Sequence, residues 1–283
     1  MKGTRRFKVK RLKHIALLPT LVTLGNIICG FAAVVFAARS MVEGTIGHAK
    51  TASDLFQVAS WMVIVAMVFD ALDGRVARMT GSASKFGAEL DSLCDVVSFG
   101  LAPAFLAYVT IDQCGGIVPR KIAVTICAVY AACAALRLAK FNVETTVDEE
   151  AHMSFRGLPS PAAGGVVVSL ALLRDHLGGT RTADWVVLAL PFAVLASAIM
   201  MISNVRYMHA VNKLLRGHHR FTRMAEVVLV ALMAAMEPVV TLALVFCGYA
   251  VSGPVMWFFR KPQPAVVPPV SAVQEKKPTA SPE

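Results

Sequence analysis

Four aspartates carry the chemistry that this sequence offers. In "FDALDGRVARMTGSASKFGAELDSLCD", residues 69–95, Asp70 and Asp73 stand three apart and Asp91 and Asp95 four apart. Either spacing puts two carboxylates on one face of a helix. The stretch between the pairs, "RMTGSASKFG", has the glycines and small polar residues of a turn. A helix hairpin would therefore bring two pairs of carboxylates together. Left unpaired at a membrane boundary, they would repel one another and resist ionisation. Two divalent cations, Mg²⁺ or Mn²⁺, take oxygen ligands and together balance four carboxylates. Two metals about 3.5–4 Å apart form the usual clamp for in-line displacement at phosphorus.

The neighbours fit that chemistry. Gly74 lets a ligand approach the second helix closely. Arg78 suits a phosphate held through two parallel hydrogen bonds, and Gly87 would let the two helices pack tightly. The plainer alternative is helix-end aspartates paired with Arg75, Arg78 and Lys85. That accounts for one pair, but not for two pairs on adjacent helices with glycines between them.

The elements that must position these residues are apolar. Hydrophobic residues make up 56% of the 283-residue chain, charged residues 16%, and mean hydropathy is +0.62. A soluble domain carries about 25% charged residues. Runs such as 21–38, 55–69, 122–136, 185–202 and 239–259 approach the roughly 20 apolar residues a bilayer span needs. The fold class is an all-α polytopic membrane protein. About eight transmembrane helices are expected, near 20–38, 55–78, 86–110, 119–138, 160–176, 184–203, 224–236 and 238–259, with a tight turn at "MEP" before the last.

The net charge of +10 would suit nucleic acid, but its distribution excludes that partner. With both termini cytoplasmic, 22 of the 28 Lys and Arg residues fall on the inner side, as membrane proteins prefer. The same charges suit anionic lipid headgroups. This topology puts the aspartates near the cytoplasmic face. Residues 1–14 form a basic cytoplasmic segment, 15–259 the membrane domain, and 260–283 a proline-rich tail expected to be disordered. The six cysteines form no CxxC pair and read as small membrane-embedded side chains. His209, His218 and His219 read as part of a hydrated basic loop.

"DALDGRVAR", eight residues and "GAELDSLCD" together fill every fixed position of D-x2-D-G-x2-A-R-x8-G-x3-D-x3-D. This resembles the signature of the CDP-alcohol phosphotransferase family. The resemblance implies that Asp70, Asp73 and Asp91 bind metal, and that Asp95 is both a ligand and the general base. It implies that Gly74, Arg78 and Ser84 contact the cytidine diphosphate portion of CDP-diacylglycerol. The stretch "LPTLVTLGNIICG" resembles the family's first helix, with Thr20 where many relatives have Asn; Thr23 and Asn26 are its other polar contacts for the nucleotide.

Four further segments, "LDSLCDVVSFGLAPA", "ALRLAKFNV", "FRGLPSPAAGG" and "ISNVRY", resemble the branch of the family that makes phosphatidylserine. The resemblance covers most of residues 10–260. It implies transfer of a phosphatidyl group to L-serine with release of CMP, at a site facing the cytoplasm from the plasma (inner) membrane. Arg137, Arg156 and Arg206 could hold a lipid pyrophosphate or the serine carboxylate. Asn142, Ser160 and Asn204 could add neutral hydrogen bonds. Helices this rich in small residues also suit a homodimer within the bilayer lipids. Glycerol 3-phosphate or inositol phosphate is the alternative acceptor, although a phosphate acceptor should need more arginine than serine does. A cation transporter is the alternative from another class. It predicts acids spread through the bilayer, whereas here they gather at one face.

Overall fold

The computed structural model describes residues 17–79, 84–113, 118–147, 157–178, 180–205, 207 and 220–259. The elements among these residues are all helical. The basic segment 1–14 and the tail 260–283 lie outside them.

Helices α1 (Leu17–Thr45) and α2 (Ala49–Met79) form a long antiparallel hairpin. At about 1.5 Å per residue, each exceeds the roughly 30 Å hydrocarbon core of a bilayer. Gly47 closes the connection with φ 90°, a left-handed conformation that favours glycine. Ala33, Ala37, Ala59, Val63 and Ala66 are fully buried in the first core cluster. Such small side chains let neighbouring backbones approach closely where lipid supplies no hydrophobic drive. Leu21, Ile28, Phe31 and Val68 point outward.

The central element is Phe86–Asp112. Of its most apolar stretch 72% is buried, against 22–39% for the other long apolar helices. It consists of α3 (Lys85–Asp95), a wide helical turn (Val96–Leu101) and α4 (Ala102–Asp112). In α4 apolar residues run all round the helix, and Ala102, Ala104, Leu106, Ala107 and Val109 are buried. A helix of that kind belongs inside a bundle. In the wide turn the Ala102 amide donates to the Val97 carbonyl, five residues back. Tyr130, fully buried, donates its hydroxyl to the Phe99 carbonyl at 3.0 Å. That contact supplies a partner to a buried backbone acceptor at the irregular turn.

Helices α5 (Arg120–Val147), α6 (Ser160–Leu177), α7 (Arg181–Ile202) and α9 (Pro238–Phe259) pack with α4 around a second cluster. Tyr130, Ala134, Leu158, Val167, Leu190, Val194 and Ala198 belong to it. Pro161 falls in the first turn of α6, where its missing N–H costs nothing. Helix α8 (Arg220–Met236) meets α9 at the tight turn expected around Glu237.

Among the described residues, six helical stretches are long and apolar enough to cross a membrane, where the sequence suggests about eight spans. The other two segments are helices as well, but α6 is less apolar and α8 is short. Helix α6 ends in Arg174, Asp175 and His176, and the apolar part of α8 is only Val227–Met236.

Polar side chains tie the helix ends far from the aspartates. Asp175 of α6 accepts from Ser53 at 2.8 Å and from Gln57 at 3.1 Å, both on α2. Arg120 donates twice to Asp112, at 2.8 and 3.1 Å.

At the opposite end, the "GLPS" and "ISNV" segments meet. The Gly157 amide donates to Val205 O at 2.8 Å and the Leu158 amide to Met200 O at 3.0 Å. Gly157 has φ 88°, and an added Cβ would stand 2.5 Å from the Met201 carbonyl oxygen. A side chain there meets both a backbone clash and a strained conformation. Gly157→Ala should destabilise the protein by about 1–3 kcal/mol, read as a lower melting temperature in detergent.

Candidate active site

The last turns of α2 and the whole of α3 carry the four carboxylates. Asp70, Asp91 and Asp95 each offer an oxygen, and these three atoms lie within 4.8 Å of one another. Asp73 joins the group with its carboxyl against that of Asp91. Asp73 and Asp95 are buried. At that separation two unit charges repel by about 3–4 kcal/mol at an effective dielectric of 20. Several such pairs need a positive partner.

Among the described residues, the guanidinium of Arg137 on α5 faces Asp70 and Asp95. One guanidinium does not balance four carboxylates. Two of the carboxylate oxygens, Asp73 Oδ2 and Asp91 Oδ1, are buried with no hydrogen-bond partner. Orphaned buried carboxylate oxygens are what hard divalent cations complete. The donor set, all carboxylate oxygen, fits Mg²⁺ or Mn²⁺ and does not suit a thiolate-seeking metal.

Helix α1 frames the cluster from the side. Thr23 is buried beside Asp73 and donates its hydroxyl to Pro19 O at 3.0 Å. Asn26 is fully buried and donates Nδ2–H to Asp95 Oδ1 at 3.0 Å. Both were expected from the sequence as polar contacts for the nucleotide; in the structure their partners are helix backbone and the carboxylates.

Ser84, expected at the nucleotide, is the N-cap of α3, its hydroxyl accepting from the Gly87 amide at 3.0 Å. Gly87 was expected to ease packing between the two helices. Instead, among the described residues, an added Cβ there would meet only Ser84 Oγ, at 3.2 Å. Its place is in the capping turn, because the carboxylate-bearing helices are joined through α1 rather than pressed together. Gly74 is half-buried next to Asp73, and Arg78 lies in the last turn of α2.

The remaining candidates form a polar rim on α5 and its neighbours. Arg137 donates Nη1–H to Ser160 Oγ at the start of α6, while its Nε is buried without a partner. Asn142 accepts from Ser92 at 3.1 Å and donates to Glu89 at 3.1 Å, linking α5 to α3. Lys140 reaches Asn204 at 3.4 Å. Arg156 and Arg206 lie outside the described residues.

The sequence reading missed Ser98, Ser92, Glu89 and Tyr249. Ser98 donates to the Asn26 carbonyl at 3.0 Å, and Tyr249 of α9 stands near Arg137. Ser92 and Ser98 do lie inside "LDSLCDVVSFGLAPA", but nothing in their spacing marks them. Tyr249 has no local signal at all.

Known proteins are similar to this chain in sequence. A serine O-phosphatidyltransferase acting from CDP-diacylglycerol, from Helicobacter pylori, is 38% identical over 172 residues, covering 61% of this chain and 69% of that protein. One of the same description from Mycobacterium tuberculosis is 31% identical over 209 residues, 72% of this chain and 65% of that one. An archaetidylserine synthase from Methanothermobacter thermautotrophicus is 30% identical over 201 residues, 70% of this chain and 72% of its own. The family model described as CDP-alcohol phosphatidyltransferase matches residues 16–202, a stretch that holds all four aspartates, Asn26 and Arg137. With its signature filled and its carboxylates gathered, this chain belongs to the CDP-alcohol phosphatidyltransferase family.

Proposed function

We propose that this protein transfers a phosphatidyl group from CDP-diacylglycerol to the hydroxyl of L-serine, giving phosphatidylserine and CMP. The observation that carries the reading is the four-carboxylate cluster with its two buried, unpartnered oxygens. The relatives described as serine O-phosphatidyltransferases support serine as the acceptor.

Asp70, Asp73, Asp91 and Asp95 would hold two divalent cations, Mg²⁺ or Mn²⁺. When bound, such ions stabilise the negative charge that develops on the pyrophosphate. Asp95 takes the proton of the serine hydroxyl, as a general base must within hydrogen-bond reach. The serine oxygen then bonds to the phosphorus that carries the diacylglycerol. The bond from that phosphorus to the bridging oxygen breaks, and CMP departs with the electron pair.

Thr23, Asn26, Gly74, Arg78 and Ser84 flank the nucleotide in this scheme. Arg137 supplies a guanidinium for the serine carboxylate or the lipid phosphate. Asn142, Ser160, Asn204, Arg156 and Arg206 complete the rim. The charge pattern supports eight spans with both termini and the site on the cytoplasmic side, and we assign them to the plasma (inner) membrane on the family resemblance. Residues 15–259 form the catalytic domain, between the basic segment and the tail.

The test is CMP release from CDP-diacylglycerol by purified protein in detergent with Mg²⁺ or Mn²⁺. Release is expected with L-serine and not with glycerol 3-phosphate or inositol phosphate. Release with either phosphate instead would keep the chemistry and replace the acceptor. No release with any acceptor would remove the transferase reading.

A further inference from the structure

We propose that Asn26 is a positioning residue for Asp95, set in place by the contact of α1 with the wide turn that follows Asp95. The inference rests on the reading of Asp95 as base and metal ligand.

Three observations build it. First, the Asn26 side chain is fully buried and donates Nδ2–H to Asp95 Oδ1 at 3.0 Å. A carboxylate only accepts, so the amide nitrogen must face it and the amide oxygen must face away. Second, that oxygen, Asn26 Oδ1, is buried with no partner. Burying an unmatched acceptor costs free energy that a leucine of similar shape would not incur. Packing alone therefore does not explain an asparagine here; the bond to Asp95 does.

Third, the backbone of α1 at this point is itself clamped. Ser98, three residues beyond Asp95, donates its hydroxyl to the Asn26 carbonyl at 3.0 Å. One helical turn further along α1, Gly30 provides the room: an added Cβ would lie 2.3 Å from Ser98 Oγ and 2.8 Å from Ser98 Cα. Gly30 admits Ser98, Ser98 grips Asn26, and Asn26 grips Asp95. With Oδ1 engaged, the carboxylate plane is fixed and Oδ2 is left to receive the serine proton. Hydrogen bonds that orient a metal-binding side chain are commonly worth about ten- to hundredfold in affinity or rate.

The experiment compares wild type, Asn26→Leu and Asn26→Ala in detergent. Steady-state CMP release with serine is measured at saturating Mn²⁺. Mn²⁺ binding is measured separately by electron paramagnetic resonance, without lipid substrate, and melting temperature is recorded. The expected result is kcat lower by about ten- to hundredfold and Mn²⁺ Kd raised by about tenfold or more. KM for serine and the melting temperature should stay near wild type.

Unchanged kcat and unchanged Mn²⁺ affinity would overturn the inference. So would a loss of activity that tracks a fall in melting temperature, or a failure of both variants to fold, since either marks a purely structural residue. If wild type itself releases no CMP with serine, the proposed function fails. Mn²⁺ affinity still decides this inference in that case, through its dependence on Asn26.

Discussion

Asp95→Asn should release CMP with serine about 10²–10⁴-fold more slowly than wild type. The substitution keeps the shape of the side chain and removes its capacity to take a proton. Asn26 can still donate to the amide oxygen, so the contact between α1 and α3 at this point survives. The melting temperature should therefore stay close to wild type. Because Asp95 also sits among the proposed metal ligands, the comparison belongs at saturating Mn²⁺, in a single-turnover experiment. KM for CDP-diacylglycerol should change little, since an interaction needed only as the proton moves acts on kcat. A wild-type rate would remove Asp95 from the role of base.

The second large effect concerns the metal. Asp91→Asn should lower the rate by on the order of 10³-fold, since metal ions supply several kcal/mol of charge stabilisation and each 1.36 kcal/mol is tenfold. Asp91 is the residue of choice because it touches both parts of the cluster. It lies within the triple with Asp70 and Asp95, and its carboxyl meets that of Asp73. Its Oδ1 is one of the two orphaned oxygens, so the substitution acts on an oxygen available to a metal. Chelation of wild type should abolish release, and added Mg²⁺ or Mn²⁺ should restore it. The variant should need far more Mn²⁺ for half-maximal rate. Full activity in the presence of excess chelator would refute the metal-based scheme.

What could be read from the sequence was what is local along the chain. The aspartate spacings and the turn residues between them act over a helical turn or two, and they brought the right side chains to one place. The contacts that hold those side chains are not local. Asn26 and Asp95 are 69 residues apart, and Arg137 and Ser160 are 23 apart. A stretch of apolar sequence does not say which neighbour its polar residues will meet.

Helix ends were also hidden, for a different reason. Hydropathy locates the part of a helix that sits in hydrocarbon, so α1 reads as 20–38, whereas it runs over Leu17–Thr45. Its continuation through Arg39 and Glu43 needs only backbone hydrogen bonds, which a polar helix end makes as readily as an apolar one. Gly87 was misread because a glycine beside a helix suits a cap as well as a crossing. Only the surroundings decide, and here they are Ser84.

The wide turn at Val96–Leu101 has a consequence for how this helix can evolve. An α-helix advances about 100° per residue, and a wide turn absorbs one extra residue so that face positions counted along the sequence slip by one across it. The aspartates of α3 and the packing faces of α4 are thus indexed separately, although they share one continuous element. Removing one residue from Val96–Leu101 would leave a regular helix that joins α3 to α4 with the phase of both nearly kept, because the wide turn already absorbs that residue. Point substitutions on α4 can repack the bundle without turning Asp91 and Asp95 away. A single-codon insertion into the regular part of α4 would turn everything on one side of it by about 100°.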